Sequence, residues 1–207
     1  MKKILALCLL VAVCGSVQAN LLPNASFEDW GTDVNGWDMP NGGYGLWTED
    51  WGGLGSTGIC TGDAQDGSVS FKLEETSWSA GALTYGLGQL GTTNGLGWYH
   101  VGGFVKASGT TPVDATIGID IFAPDWSAFW WGGGADVVAA LNSTEGQAGE
   151  WVYVGFDFEV TDPTANYNFR VKTDNGSFLV DNVQLVPEPA SMALLGLGSL
   201  LALRRRK

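Results

Sequence analysis

The chain has 207 residues, with 22 acidic and 10 basic side chains and a formal net charge of −12. Between its two terminal segments only Lys72, Lys106, Arg170 and Lys172 stand against 21 acidic residues. That balance excludes nucleic acid as a partner, because phosphate demands a basic surface. The 31 glycines and 10 tryptophans, with few helix formers, predict an all-β chain.

The first 19 residues read as a secretory signal peptide. Lys2 and Lys3 form a positive start, Ile4 to Val13 is an unbroken apolar run, and Val17-Gln18-Ala19 is a small-residue exit. Cleavage after Ala19 leaves Asn20 as the first mature residue. A lipid anchor on Cys14 is the alternative, but Val13 stands where a lipobox wants a small residue. Cys8 and Cys14 leave with the signal, so Cys60 has no partner for an intrachain disulfide.

Asn20 to Val186, about 167 residues, is one domain's worth of chain. Strands are predicted over Ser68–Glu74, Leu83–Leu90, Trp98–Ala107, Ala115–Phe122, Trp151–Val160, Tyr167–Lys172 and Ser177–Val186. The alternation and the Gly, Asn, Asp and Thr between these runs suggest an antiparallel β-sandwich of jelly-roll type. No helical pattern of ten residues and no repeat occurs within the domain. Asp29–Asp66 and Pro124–Gly149 are rich in Gly and Trp and read as long loops, which carry function more often than packing.

Residues 187–207 form a second targeting segment. Pro187, Glu188 and Pro189 punctuate the end of the domain, an apolar stretch covers 190–203, and Arg204, Arg205, Arg206 and Lys207 follow. The prolines are expected to end the preceding sheet. The basic cluster keeps the C-terminus cytoplasmic. As a helix the stretch Pro189–Leu203 reaches roughly 22 Å, short of the ~30 Å hydrocarbon core. It reads either as a weak membrane tail or as a transient stop that is later cut.

This tail resembles the PEP-CTERM sorting signal. The resemblance implies recognition by an exosortase-type membrane protease, transient insertion in the inner membrane, and delivery to the cell surface or extracellular matrix. The domain itself resembles carbohydrate-binding modules of the galactose-binding-like superfamily. Asn20-Leu-Leu-Pro-Asn-Ala-Ser-Phe-Glu28 is similar to their opening strand and Ser177-Phe-Leu-Val-Asp181-Asn-Val-Gln-Leu185 to their last. Tyr99-His-Val-Gly-Gly-Phe104-Val-Lys106-Ala107 is similar to a central strand.

The resemblance also implies a structural calcium joining the opening and closing strands, with Glu28 and Asp181 at the matching positions. Two carboxylates on adjacent strands repel unless a cation lies between them; the alternative is that both accept hydrogen bonds from the backbone. For a polysaccharide, aromatic platforms with a few placed polar groups are needed. The loop candidates are Tyr44, Trp47 and Trp51, and Trp126, Trp130 and Trp131. Trp30, Trp37, Trp98 and Trp151 read mainly as core. His100 is the lone histidine, and neither zinc spacing nor a nucleophile elbow occurs. The expected function is therefore non-catalytic polysaccharide binding. The alternatives are a structural or adhesive matrix protein without a discrete site and, remotely, a glycoside-active enzyme.

Overall fold

A computed structural model describes residues 19–32, 38–40, 48–49, 58–74, 81–109, 113–143 and 149–188. Among these residues the short strands β1 (Trp30–Thr32), β2 (Asp38–Pro40), β3 (Thr48–Glu49) and β4 (Gly58–Thr61) come first. The long strands follow: β5 (Val69–Glu74), β6 (Gly81–Gly88), β7 (Gly97–Ala107), β8 (Asp114–Phe122), β9 (Phe129–Asp136), β10 (Val152–Val160), β11 (Asn166–Asn175) and β12 (Ser177–Pro187). Two short helices, α1 (Leu90–Thr93) and α2 (Val137–Leu141), interrupt them. No helix among the described residues is long and apolar enough to cross a membrane.

The long strands, joined by β3 and β4 at two edges, build two five-stranded antiparallel sheets, ordered β10-β7-β12-β5-β4 (the β7 sheet) and β3-β6-β11-β8-β9 (the β11 sheet). They pack as a sandwich. Period-two alternation decides which residues face inward. Along β11, Tyr167, Phe169 and Val171 are buried, while Asn168, Arg170 and Lys172 take the opposite face. On β8, Ile117 and Ile119 face Phe169 and Val171 of the same layer. Phe71, Val101, Phe178 and Val180 answer from the β7 sheet, and Phe27 closes against Phe71 with ring centroids 6.0 Å apart. Each such fully buried side chain contributes about 1.5–3 kcal/mol of burial free energy.

The predicted strands all appear, with ends shifted by a few residues. Three expectations are corrected. The two stretches read as long loops are not loops throughout, because Asp29–Asp66 holds β1–β4 and Pro124–Gly149 holds β9 and α2. Asn20–Phe27 is not a strand. It runs in turns, with Asn24 and Phe27 at positive φ (48° and 57°), and hangs on β12 through Leu21 N–H to Leu185 O (2.8 Å) and Val183 N–H to Ala25 O (2.8 Å). Pro187 does not end the ladder. Its Cα lies opposite Tyr99, and Glu188 N–H still donates to Trp98 O at 2.8 Å. Ladder hydrogen bonds alternate along an antiparallel pair, so a proline one residue before a bonded rung gives up no N–H the ladder uses.

Candidate functional site

The outer face of the β11 sheet carries a cluster built by register. Gly118, Arg170 and Thr84 align across β8, β11 and β6, and Asp120, Asn168 and Gly86 form the next row. Asp120 also lies opposite Trp131 on β9. At the centre, Arg170 Nη2 is 2.8 Å from Asp120 Oδ1, with side-chain exposures of 19% and 3%. The guanidinium lies 5.2 Å from the Trp131 ring centroid and 6.0 Å from that of Phe129. A planar cation fixed by a buried carboxylate and flanked by rings is pre-organised, so its N–H groups are held in one orientation.

Glycines make this possible. A Cβ on Gly118 would overlap the Trp131 ring, and one on Gly134 would come within 2.7 Å of it. The ring therefore lies down over a floor without side chains. Its outward side stays open, at 45% exposure. Asn168 Oδ1 lies buried beneath this face, with no hydrogen-bond partner among the described residues.

Of the aromatic residues singled out from sequence, Trp126, Trp130 and Trp131 lie along the β8–β9 hairpin, all exposed. Trp131 alone of the three stacks on Arg170. Trp126 packs on Phe122 at 5.0 Å and holds a left-handed backbone (φ 62°). Ser127 pins that turn by donating N–H and O–H to Asp125, which holds the Asp125 carboxyl below its usual range. Tyr44, Trp47 and Trp51 lie outside the described residues, as do Trp37, Pro189 and Arg204–Arg206. Trp30 and Trp98, read as core, are exposed instead. Sequence reasoning missed Arg170, Asp120 and Phe129. The one available signal was that Arg170 is the domain's only arginine and sits in an alternating strand.

Glu28 and Asp181 do converge, on a single turn. Glu28 Oε1 accepts the N–H groups of Ser68 and Val69, both at 2.7 Å, and Oε2 accepts Ser68 O–H at 2.9 Å. The Ser68 amide, then the Val69 amide, hold the Glu28 carboxyl below its usual range. Asp181 is fully buried and accepts the N–H groups of Gln65 (2.7 Å), Asp66 (3.0 Å) and Asn182 (2.6 Å). Burial pushes its carboxyl up, and these three amides oppose the shift. All four oxygens thus accept N–H or O–H groups, as the alternative of backbone hydrogen bonding expects. Among the described residues no three His, Cys, Asp or Glu side chains converge as a metal site.

Two antiparallel sheets packed as a sandwich are also the fold of solved carbohydrate-binding domains. Solved structures of that class match it. The CBM22-1 xylan-binding domain of Paenibacillus barcinonensis Xyn10C aligns over 82% of this chain and 95% of its own, with a TM-score of 0.54 and 18% identity. The CBM22-1-CBM22-2 tandem domain of the same protein aligns over 82% of this chain and 46% of its own, with a TM-score of 0.54 and 16% identity. At such identities the likeness is one of fold. No curated protein matches the chain in sequence. Residues 185–207 match the PEP-CTERM protein-sorting motif, so the chain carries the signal of an exported, sorted protein.

Proposed function

We propose that this is a non-catalytic polysaccharide-binding protein that uses the outer face of the β11 sheet, with Trp131 as the stacking platform and Arg170 as the fixed hydrogen-bond donor. The observation that supports this reading is the Arg170–Asp120 pair held beneath the exposed Trp131 ring. An aromatic face takes the C–H side of a pyranose ring, and an oriented guanidinium takes its hydroxyls. The matched structures include xylan-binding domains, so xylan is the first ligand to try. Affinity gels containing xylan or β-1,4-galactan should retard the wild type, and Trp131→Ala should remove the retardation. Undiminished retardation of that variant would overturn the assignment of this face.

The sorting motif supports export, processing by an exosortase-type protease after transient insertion of the tail in the inner membrane, and delivery to the cell surface or matrix. Glu28 and Asp181 serve in this reading as anchors of the 65–69 turn in place of calcium ligands. Chelation should leave the melting temperature unchanged, and a fall of several degrees in excess chelator would return calcium to the site.

A further inference from the structure

The sorting signal does not hang from the domain on a spacer. The matched motif begins at Leu185, a fully buried core residue of β12. Pro187 is still in register with Tyr99, and Glu188 N–H donates to the backbone of Trp98. After Glu188 the sequence has only Pro189, Ala190 and Ser191 before the apolar run Met192–Leu203. Whatever holds that run therefore lies within a few residues of one end of the sandwich.

Strand directions define that end. The end of β12, the start of β7 and the end of β10 meet there, because Gly97 pairs with Val160 and Pro187 with Tyr99. The link of five residues from Val160 to Asn166 brings the start of β11 to the same end. Asn166 pairs with Phe122, and Phe122 with Phe129, so the β8–β9 turn lies there too. This end carries Leu96 (58% exposed), Trp98 (51%), Trp126 (53%) and Phe129 (53%), half of the eight large exposed hydrophobic residues that the described chain presents.

We propose that this end of the sandwich is a lipid-docking surface that seats on a zwitterionic membrane interface while the sorting tail is inserted. The inference rests on the reading of the tail as membrane-inserted. The tail's apolar stretch, some 8 Å short of the hydrocarbon thickness if helical, draws the attached domain down to the bilayer. Tryptophan is the residue favoured at that depth. Charge selects the lipid. Asp125, Glu159, Asp162 and Glu188 belong to this end, and Lys72, Lys106, Arg170 and Lys172 are each paired with an acidic side chain. An acidic rim is repelled by anionic headgroups.

The test uses the full chain, with Cys8, Cys14 and Cys60 replaced by Ser, reconstituted in phosphatidylcholine vesicles. A fluorescent probe is placed on Trp98→Cys and, in a second protein, on Asn175→Cys at the far end of β11. Leu96→Cys replaces the first if Trp98→Cys fails to fold. Nitroxide-labelled lipid should quench the probe at 98 or 96 several-fold more than the probe at 175. Equal quenching in a chain that floats with the vesicles overturns docking and leaves the anchor. A chain that does not float overturns both. Quenching that needs a co-reconstituted exosortase-type protease overturns the lipid assignment and gives this end to a protein partner.

Discussion

The two outer faces of the sandwich use the same device for opposite ends. On the β11 sheet, Trp131 lies flat over Gly118 and Gly134; on the β7 sheet, Tyr153 lies flat over Gly102 and Gly155. What differs is what each ring leaves unfinished. The Tyr153 hydroxyl accepts from Gln184 Nε2 and bonds His100 Nε2 at 2.6 Å, while His100 Nδ1–H donates to Asp157 at 2.5 Å. With Phe104 edge-on at 5.3 Å, that face satisfies itself. Trp131 brings no hydroxyl, stacks on a cation and keeps its other side open. A flat ring on a glycine floor is therefore not in itself a binding platform. The platform is the ring that keeps one side exposed beside an oriented cation.

The largest break in this comparison should come from Asp120→Ala. Arg170 would stay in place with its charge mostly buried and the Asp120 carboxylate gone, a loss of about 3–5 kcal/mol. For a domain of this size that lowers Tm by about 10 °C, measured by calorimetry. Removing the charge as well, in Asp120→Leu with Arg170→Met, should recover most of the stability and none of the xylan retardation. If the single and double variants melt together, the pair does not hold this face.

Gly118→Ala should have the next largest effect. It replaces no aromatic residue, yet its Cβ takes the space of the Trp131 ring. Overpacking of this kind costs about 1–3 kcal/mol, and the displaced ring should lose the polysaccharide in the affinity gel. Retained retardation would show that the lie of Trp131 does not matter to binding.

Much of this fold could be read from alternation, and much of the site could not, for one physical reason. Strands such as β8 and β11 bury one face and expose the other, so their sequences carry a period of two. The edge strand β9 is Phe-Trp-Trp-Gly-Gly-Gly-Ala-Asp, in which Gly134 makes room for the strand's own Trp131 ring and Gly132 for the Ile121 side chain. Such a run has no period and reads as loop. Trp131 was legible as an exposed aromatic residue. Arg170 and Asp120 lie fifty positions apart in sequence and meet only through the β8–β11 register. Glu28 and Asp181 were legible as a pair, but the turn amides that receive them leave no pattern. Pro187 misled because the rule against proline in a sheet depends on which rung it occupies.

The smallest effect should come from Tyr153→Phe, and it sharpens the comparison from the other side. The variant keeps the ring over Gly102 and Gly155 and loses only the hydroxyl. Hydrogen bonds at a half-exposed site contribute about 1 kcal/mol or less, and xylan retardation should be unchanged. The pH dependence carries more information. Burial, first of all, raises the Tyr153 phenol above its ordinary value of 10.0, opposed by the Gln184 hydrogen bond and assisted by the Asp157 charge. A group with a raised folded-state value contributes stability that is complete below the unfolded value and fades as pH climbs through the folded one. The wild type should therefore lose stability above about pH 10 more steeply than Tyr153→Phe, with Tyr85, Tyr99 and Tyr167, raised in the same way, keeping part of the slope in both. Parallel alkaline limbs in chemical denaturation would mean that the Tyr153 hydroxyl is as free to ionise as in the unfolded chain, and that the β7 face is not the closed network its geometry describes.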